Sequence, residues 1–171
     1  MQSYTVSVPS KSYIKKYFTK MYGEVISLDH RSDFGDTILT KMSTTSLAQV
    51  NKTMLNLEFQ HYKDKVVFRL SMDFFYRLEH ELNPQQIYNI NRYMENIFKA
   101  DLFLAICCGT FFGVEITTIV EKFADKFDVN LGEELTQKSL LKAYYRFRKS
   151  STASNFFLLQ MSTPFNLNLR A

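Results

Sequence analysis

Along the first half of the chain apolar residues tend to alternate with polar ones. Along the second half they recur every three or four positions. Alternation puts one side of an extended strand in the core and the other in water, whereas a spacing of three or four marks one face of a helix. In "SYTVSV", Tyr4, Val6 and Val8 share one side of a strand that Pro9 is expected to end. Ser10 then suits the cap of a helix running through "KSYIKKYFTKMY" to Gly23, a residue able to adopt a left-handed cap. Ile14, Tyr17, Phe18 and Met21 form its apolar stripe. "EVISL" (24–28) reads as a short strand and "DHRSDFGD" as a polar loop, "TILTKM" suits a strand or the start of a short helix, with strand preferred, and "STTSLAQVN" reads as a connection. The clearest pattern is "TMLNLEFQHY", then "KDK", then "VVFRLSM". Leu55, Leu57 and Phe59 alternate with polar residues, and Val66, Phe68, Leu70 and Met72 do so on the return, which predicts an antiparallel hairpin.

The period then changes. "DFFYRLEHEL" reads as a short helix. "NPQQ" starts a long one, with Asn83 as cap, Pro84 at the first position and Gln86 placed to reach back. Ile87, Ile90, Met94, Ile97, Phe98 and Leu102 make its core stripe, and an end is expected near Gly109. After Gly113, Ile116, Ile119, Val120, Phe123 and Phe127 repeat the spacing. A last helix begins at Thr136. The pattern therefore predicts an α+β fold: a small, mainly antiparallel sheet with an N-terminal β-α unit, packed against a C-terminal helical half. One domain is expected over 1–150, sheet-rich over 1–72 and helical over 73–150. Residues 151–171 form a tail whose "FFLLQM" suits a docking strand or an interaction segment.

Composition agrees with a packed core: 171 residues, 46% hydrophobic, with 16 Phe and 10 Tyr but only 5 Gly and 3 Pro. Cys107 and Cys108 are sequence neighbours in an apolar run, so they read as small core residues in a reducing cytoplasm. The run itself, "LFLAICCGTFFGV" (102–114), is shorter than the roughly 20 residues a membrane span needs and reads as buried core. "MQSYTVSVPS" lacks the charged start and apolar block of a secretory leader. A soluble cytoplasmic protein without a membrane role is the expectation.

Charge singles out "TQKSLLKAYYRFRKSS" (136–151), which has five cations, three aromatics and no acid. At about 100° per residue, Lys138, Lys142, Arg146 and Lys149 gather in one arc, opposite Leu140, Ala143, Tyr144 and Phe147. Tyr145 borders that arc, where a ring can stack on a base, and Arg148 adds a further cation. The first helix carries Lys11, Lys15, Lys16 and Lys20 outside its apolar stripe. Two basic amphipathic helices lining one groove would bind a polyanion in a salt-sensitive way. The chain's net charge of +4 permits this without demanding it. A helix-turn-helix-like pairing with the preceding helix is weakened by the long, acidic connection "DVNLGEEL", and Glu115, Glu121, Asp125, Asp128, Glu133 and Glu134 are as well placed to neutralise the cations as to repel phosphate. A basic arc is often no more than the wet side of a helix.

Enzymatic chemistry is thin. Asp29, His30, Asp33 and Asp36 cluster as a cation site requires, yet Asp also serves turns. "DFG" stands without the other kinase motifs, and His80-Glu81 lacks the second His of a zinc protease because position 84 is Pro. His61 reads as an exposed residue near the hairpin turn. The sequence predicts no cofactor and no catalytic residue. Its first functional reading is a non-enzymatic DNA- or RNA-binding protein. The second is an assembly or adaptor protein that joins a protein partner or itself through its aromatic surface and 155–169. A metal-dependent enzyme at the Asp/His loop is the third.

Overall fold

The computed structural model describes residues 3–43, 59–77 and 82–150. The alternation at Leu55 and Leu57, the connection after Ser43, the His80-Glu81 pair and the tail with its 155–169 segment lie outside them. In chain order the elements are β1 (Ser3–Ser10), α1 (Ser12–Tyr22), β2 (Val25–Ser27), α2 (Asp33–Ser43), β3 (Asp64–Ser71), α3 (Met72–Arg77), α4 (Pro84–Phe111), α5 (Ile116–Lys126) and α6 (Gln137–Lys149). The architecture is α+β, with strands first and a mostly helical second half.

The sheet has the order β1-β3-β2. β3 runs antiparallel to β1 from Ser3↔Ser71 to Ser10↔Asp64, and parallel to β2 over Val25↔Val67 to Ser27↔Arg69. The sheet is thus mixed. The expected hairpin does not form at β3, because β1 takes its antiparallel side and β2 the other. Phe59 is helical, and Gln60 and His61 turn. The alternation in β3 holds as a pattern. Val66, Phe68 and Leu70 are buried while Lys65 and Arg69 are exposed, but a sequence pattern does not say which strand lies alongside. α1 packs over β3 as it carries the chain from one edge strand to the other.

Three local expectations are corrected. β1 continues through Pro9 to Ser10, which is tolerable because Pro needs no ladder partner on an outer strand. Ser10 is buried and its hydroxyl donates to the Lys11 carbonyl, so Lys11 stands at the cap of α1 with no side-chain cap bond. The segment "TILTKM" is helical. Ser32 Oγ accepts from the Gly35 amide at 3.0 Å, Asp33 and Asp36 favour the first turn electrostatically, and Ile38, Leu39 and Met42 face the core. Gly35 is required here, since a Cβ would collide with the Asp29 carbonyl. Finally, the run 102–114 is buried only at its start. Leu102, Phe103 and Ile106 are in the core, whereas Cys108, Phe111, Phe112 and Val114 are exposed.

The long helix starts as its sequence dictates. Asn83 Oδ1 accepts from the Gln86 amide at 2.9 Å and Gln86 Oε1 accepts from the Asn83 amide at 2.8 Å. Gln86 Nε2 also donates to the Met42 carbonyl, and Asn91 Nδ2 donates to the Pro9 carbonyl at 2.7 Å, fastening α4 to α2 and β1. Ile90, Met94, Phe98, Leu102 and Ile106 are fully buried along one stripe. Tyr17, Phe98, Phe123 and Phe127 interlock where α1, α4 and α5 meet, in tilted and edge-to-face pairs. Each such ring contributes about 1.5–3 kcal/mol through burial. Among the described residues no helix is long and apolar enough to cross a membrane.

Candidate nucleic-acid interface

Residues 136–149 form the helix that their spacing predicts. Thr136 caps α6 by accepting from the Ser139 amide at 3.3 Å. Its inner face holds buried Leu140 and Tyr144, with Ala143 and Phe147 partly covered. Phe147 stacks on Phe103 of α4 at 5.0 Å between centroids, and the Tyr144 ring leans on the same Phe103. The Tyr144 hydroxyl lies 3.7 Å from Cys107 Sγ. Burial pushes the proton affinity of both groups up, and their mutual contact adds to that for Tyr144 while Arg148 opposes it. Arg148 thus stands beside Tyr144, at the seam between α6 and α4.

The outer face carries Lys138, Lys142, Tyr145, Arg146, Arg148 and Lys149, all exposed. Among the described residues none of these cations pairs with a carboxylate. Glu121 of α5 reaches α6 only at its first turn, where it accepts from Gln137 Nε2 at 3.4 Å. The row from Lys138 to Lys149 is about 16 Å long at 1.5 Å per residue.

The lysines of α1 have other surroundings. Lys11 Nζ lies 2.8 Å from Glu95, Lys16 Nζ lies 2.8 Å from Glu134, and Lys20 Nζ lies 3.5 Å from Asp128. Lys15 is half-buried and has no carboxylate partner among the described residues. Glu95 also accepts from the Tyr13 hydroxyl and sits 3.4 Å from Lys99. Burial alone would raise the Glu95 carboxyl, but Lys11, Tyr13 and Lys99 outweigh it and hold it below its ordinary value. A cavity of about 590 Å³ lies between the start of α1, the middle of α4 and the inner edge of α6. Lys11, Lys63 and Lys99 in its wall are balanced by Glu95, Glu133 and Glu134, so it concentrates no net positive charge. The structure brings Lys11 near α6 across this cavity, where Glu95 neutralises it.

The Asp/His loop does not converge on a point. His30 Nδ1 pairs with Asp36 at 2.8 Å, Asp29 accepts from the Arg31 amide, and Asp33 and Asp36 belong to the first turn of α2. Among the described residues no group of three or more His, Cys, Asp and Glu side chains is arranged to hold a metal ion.

One surface feature escaped the sequence. Phe111 and Phe112 are 84% and 79% exposed, at the turn from α4 to α5. The turn is built by Gly113 at φ +76°, whose amide bonds to Thr110 while the Val114 amide bonds to Gly109. Gly109 faces Ile119 so closely that a Cβ would clash, which lets α5 fold back tightly and leaves both rings outside. No signal in the sequence separates this pair from Leu102 and Phe103, which are likewise adjacent and apolar but buried. No family model, no curated protein and no solved structure matches this chain.

Proposed function

We propose that this is a non-enzymatic nucleic-acid-binding protein that grips the phosphate backbone with the outer face of α6. The observation that carries the reading is the exposed array of Lys138, Lys142, Arg146, Arg148 and Lys149, which no carboxylate among the described residues neutralises. Tyr145, 46% exposed beside the row, supplies a hydroxyl or a ring. The ten residues 127–136 between α5 and α6 exceed a helix-turn-helix turn, so α6 is read as a backbone-gripping helix with little base selectivity. A reducing cytoplasm, where Cys107 and Cys108 stay thiols, belongs to the same reading.

Replacing Lys142, Arg146 and Lys149 together with Glu tests it. Retention on heparin and on a DNA duplex at moderate salt is expected to disappear, with unfolding unchanged. On a duplex the salt slope falls by about 0.9 for each phosphate that the variant no longer neutralises. Unchanged retention refutes the proposal. The alternative, assembly through exposed aromatic surface, draws support from Phe111 and Phe112. It predicts instead a mass above the monomer in light scattering that falls when those rings are replaced.

A further inference from the structure

Phe111 and Phe112 stand exposed at the C-terminal end of α4, the helix on which α6 docks through Phe103 and Cys107. Cys107 Sγ meets the Tyr144 hydroxyl of α6 at 3.7 Å. Phe111 follows Cys107 by four residues, so it lies on the same side of α4, one turn further along. Round the outer side of α6 the order is Arg148, Tyr145, Lys138, Lys149, Lys142, Arg146, from the helical advance of about 100° per residue. The flank nearest α4 is therefore that of Arg148. Phe103 meets Phe147 while Cys107, one turn on, meets Tyr144, so α4 runs back along α6 and the exposed rings lie beyond Cys107 toward the Lys138 end of the row. Phe111 and Phe112 meet edge to face, 5.4 Å between centroids, on a convex turn held by Gly113. Glu115 is the sole carboxylate in residues 102–115, and it is exposed to solvent at the cap of α5.

We infer that the ligand of this face is single-stranded nucleic acid, whose phosphates follow the α6 cations while its unpaired bases stack on Phe111, Phe112 and Tyr145. This rests on the reading of α6 given above. In a duplex the bases are already stacked on one another, and two Phe rings on a convex turn offer phosphates nothing. Unpaired bases present free faces, and aromatic rings beside a cationic track are the general means of holding them. A lipid surface would use the rings and only the nearest cations, because the row runs lengthwise along α6 away from the turn. A flexible strand can engage both. Among the described residues beside this path the carboxylates are Glu115 at the cap of α5 and Glu121, which meets Gln137 at the first turn of α6, and neither pairs with a cation of the row.

The test uses the full chain and its Phe111→Ser/Phe112→Ser and Phe111→Tyr/Phe112→Tyr variants, with labelled oligothymidylate, a labelled duplex and an oligonucleotide carrying 2-aminopurine. Since both rings are largely in solvent, the substitutions leave the core untouched, which far-UV circular dichroism confirms. The wild-type chain is expected to prefer the single strand at equal salt and to quench 2-aminopurine. The Ser variant is expected to bind oligothymidylate about tenfold more weakly or worse and to lose the quench, with duplex affinity little changed. The Tyr variant should retain both properties. Unchanged single-strand affinity in the Ser variant, or a wild-type preference for duplex, overturns this inference and leaves the α6 proposal standing. Ring-dependent binding to phosphatidylserine vesicles without any change toward oligothymidylate assigns the turn to lipid and also overturns it. If the wild-type chain binds neither nucleic-acid probe, both proposals fall.

Discussion

α1 and α6 carry the same kind of sequence and live in different electrostatic surroundings. Each is an amphipathic helix with lysines or arginines outside its apolar stripe. On α1, Lys11, Lys16 and Lys20 each reach a carboxylate contributed by α4 or by the segment after α5. On α6, none of the cations does so among the described residues. A basic helix face is thus two different things. It is an internal fastener where the fold supplies acids, and an open array of charge where it does not. Only the second can exchange its counterions for phosphates.

Charge reversal separates the two helices most sharply. The triple Glu substitution on α6 should remove polyanion retention and leave stability alone. Reversing Lys11 to Glu should do the opposite, by setting a second carboxylate against Glu95. The expected loss is about 3–5 kcal/mol in urea unfolding, with heparin retention of the folded fraction nearly intact. Loss of retention without loss of stability would make Lys11 part of the binding face after all.

Next in size is Glu95→Gln. The Glu95 carboxyl titrates below its ordinary value in the folded chain. Its contribution is therefore complete above the unfolded value of about 4.3 and is lost as pH falls through the lower folded value. The variant should lose about 1–3 kcal/mol at neutral pH and show a shallower acid limb in its stability profile. An acid limb identical to that of the wild type would show that Glu95 does not carry this linkage.

Salt gives a third contrast. Raising ionic strength toward 1 M shortens the screening length to about 3 Å, which should release nucleic acid from α6 while the half-buried Lys11–Glu95 pair, at 2.8 Å, holds. The readouts are elution position and urea midpoint in the same buffers. A midpoint that falls in step with elution would erase the distinction.

The smallest effect belongs to Lys20–Asp128, an exposed pair at 3.5 Å. Asp128 holds φ +54° at the end of α5, a conformation better suited to Gly. Asp128→Gly should leave stability unchanged or raise it by up to about 1 kcal/mol, because relief of the backbone offsets a pair worth little. A clear drop in the thermal midpoint would show that the pair matters more than its exposure implies.

Much of the helical half was legible from its residues. The Asn83–Gln86 capping box, the Thr136 cap and the stripe Ile90, Met94, Phe98 and Leu102 all stand as their spacing predicts. The sheet was less legible. Alternation identified the inner face of β3, but β1 is separated from it by more than fifty residues and takes the side that a hairpin would have used. The helix over Asp33–Ser43 was hidden because Asp, Gly and Ser signal turns as readily as helix starts. Ser32 settles the matter through a bond to Gly35. The exposure of Phe111 and Phe112 was hidden because an apolar run says nothing about where the next helix will fold back.

Caps, stripes and the basic arc of α6 follow from interactions that span four residues or fewer, so the order of amino acids was enough to establish them. Which cations remain available did not follow. Lys11 meets its carboxylate 84 positions away, and no local rule reaches that far. Glu95 of α4 neutralises Lys11, and Glu134 and Asp128 beyond α5 neutralise Lys16 and Lys20, whereas the docking of α6 through Tyr144 and Phe147 onto Phe103 turns its cations toward solvent.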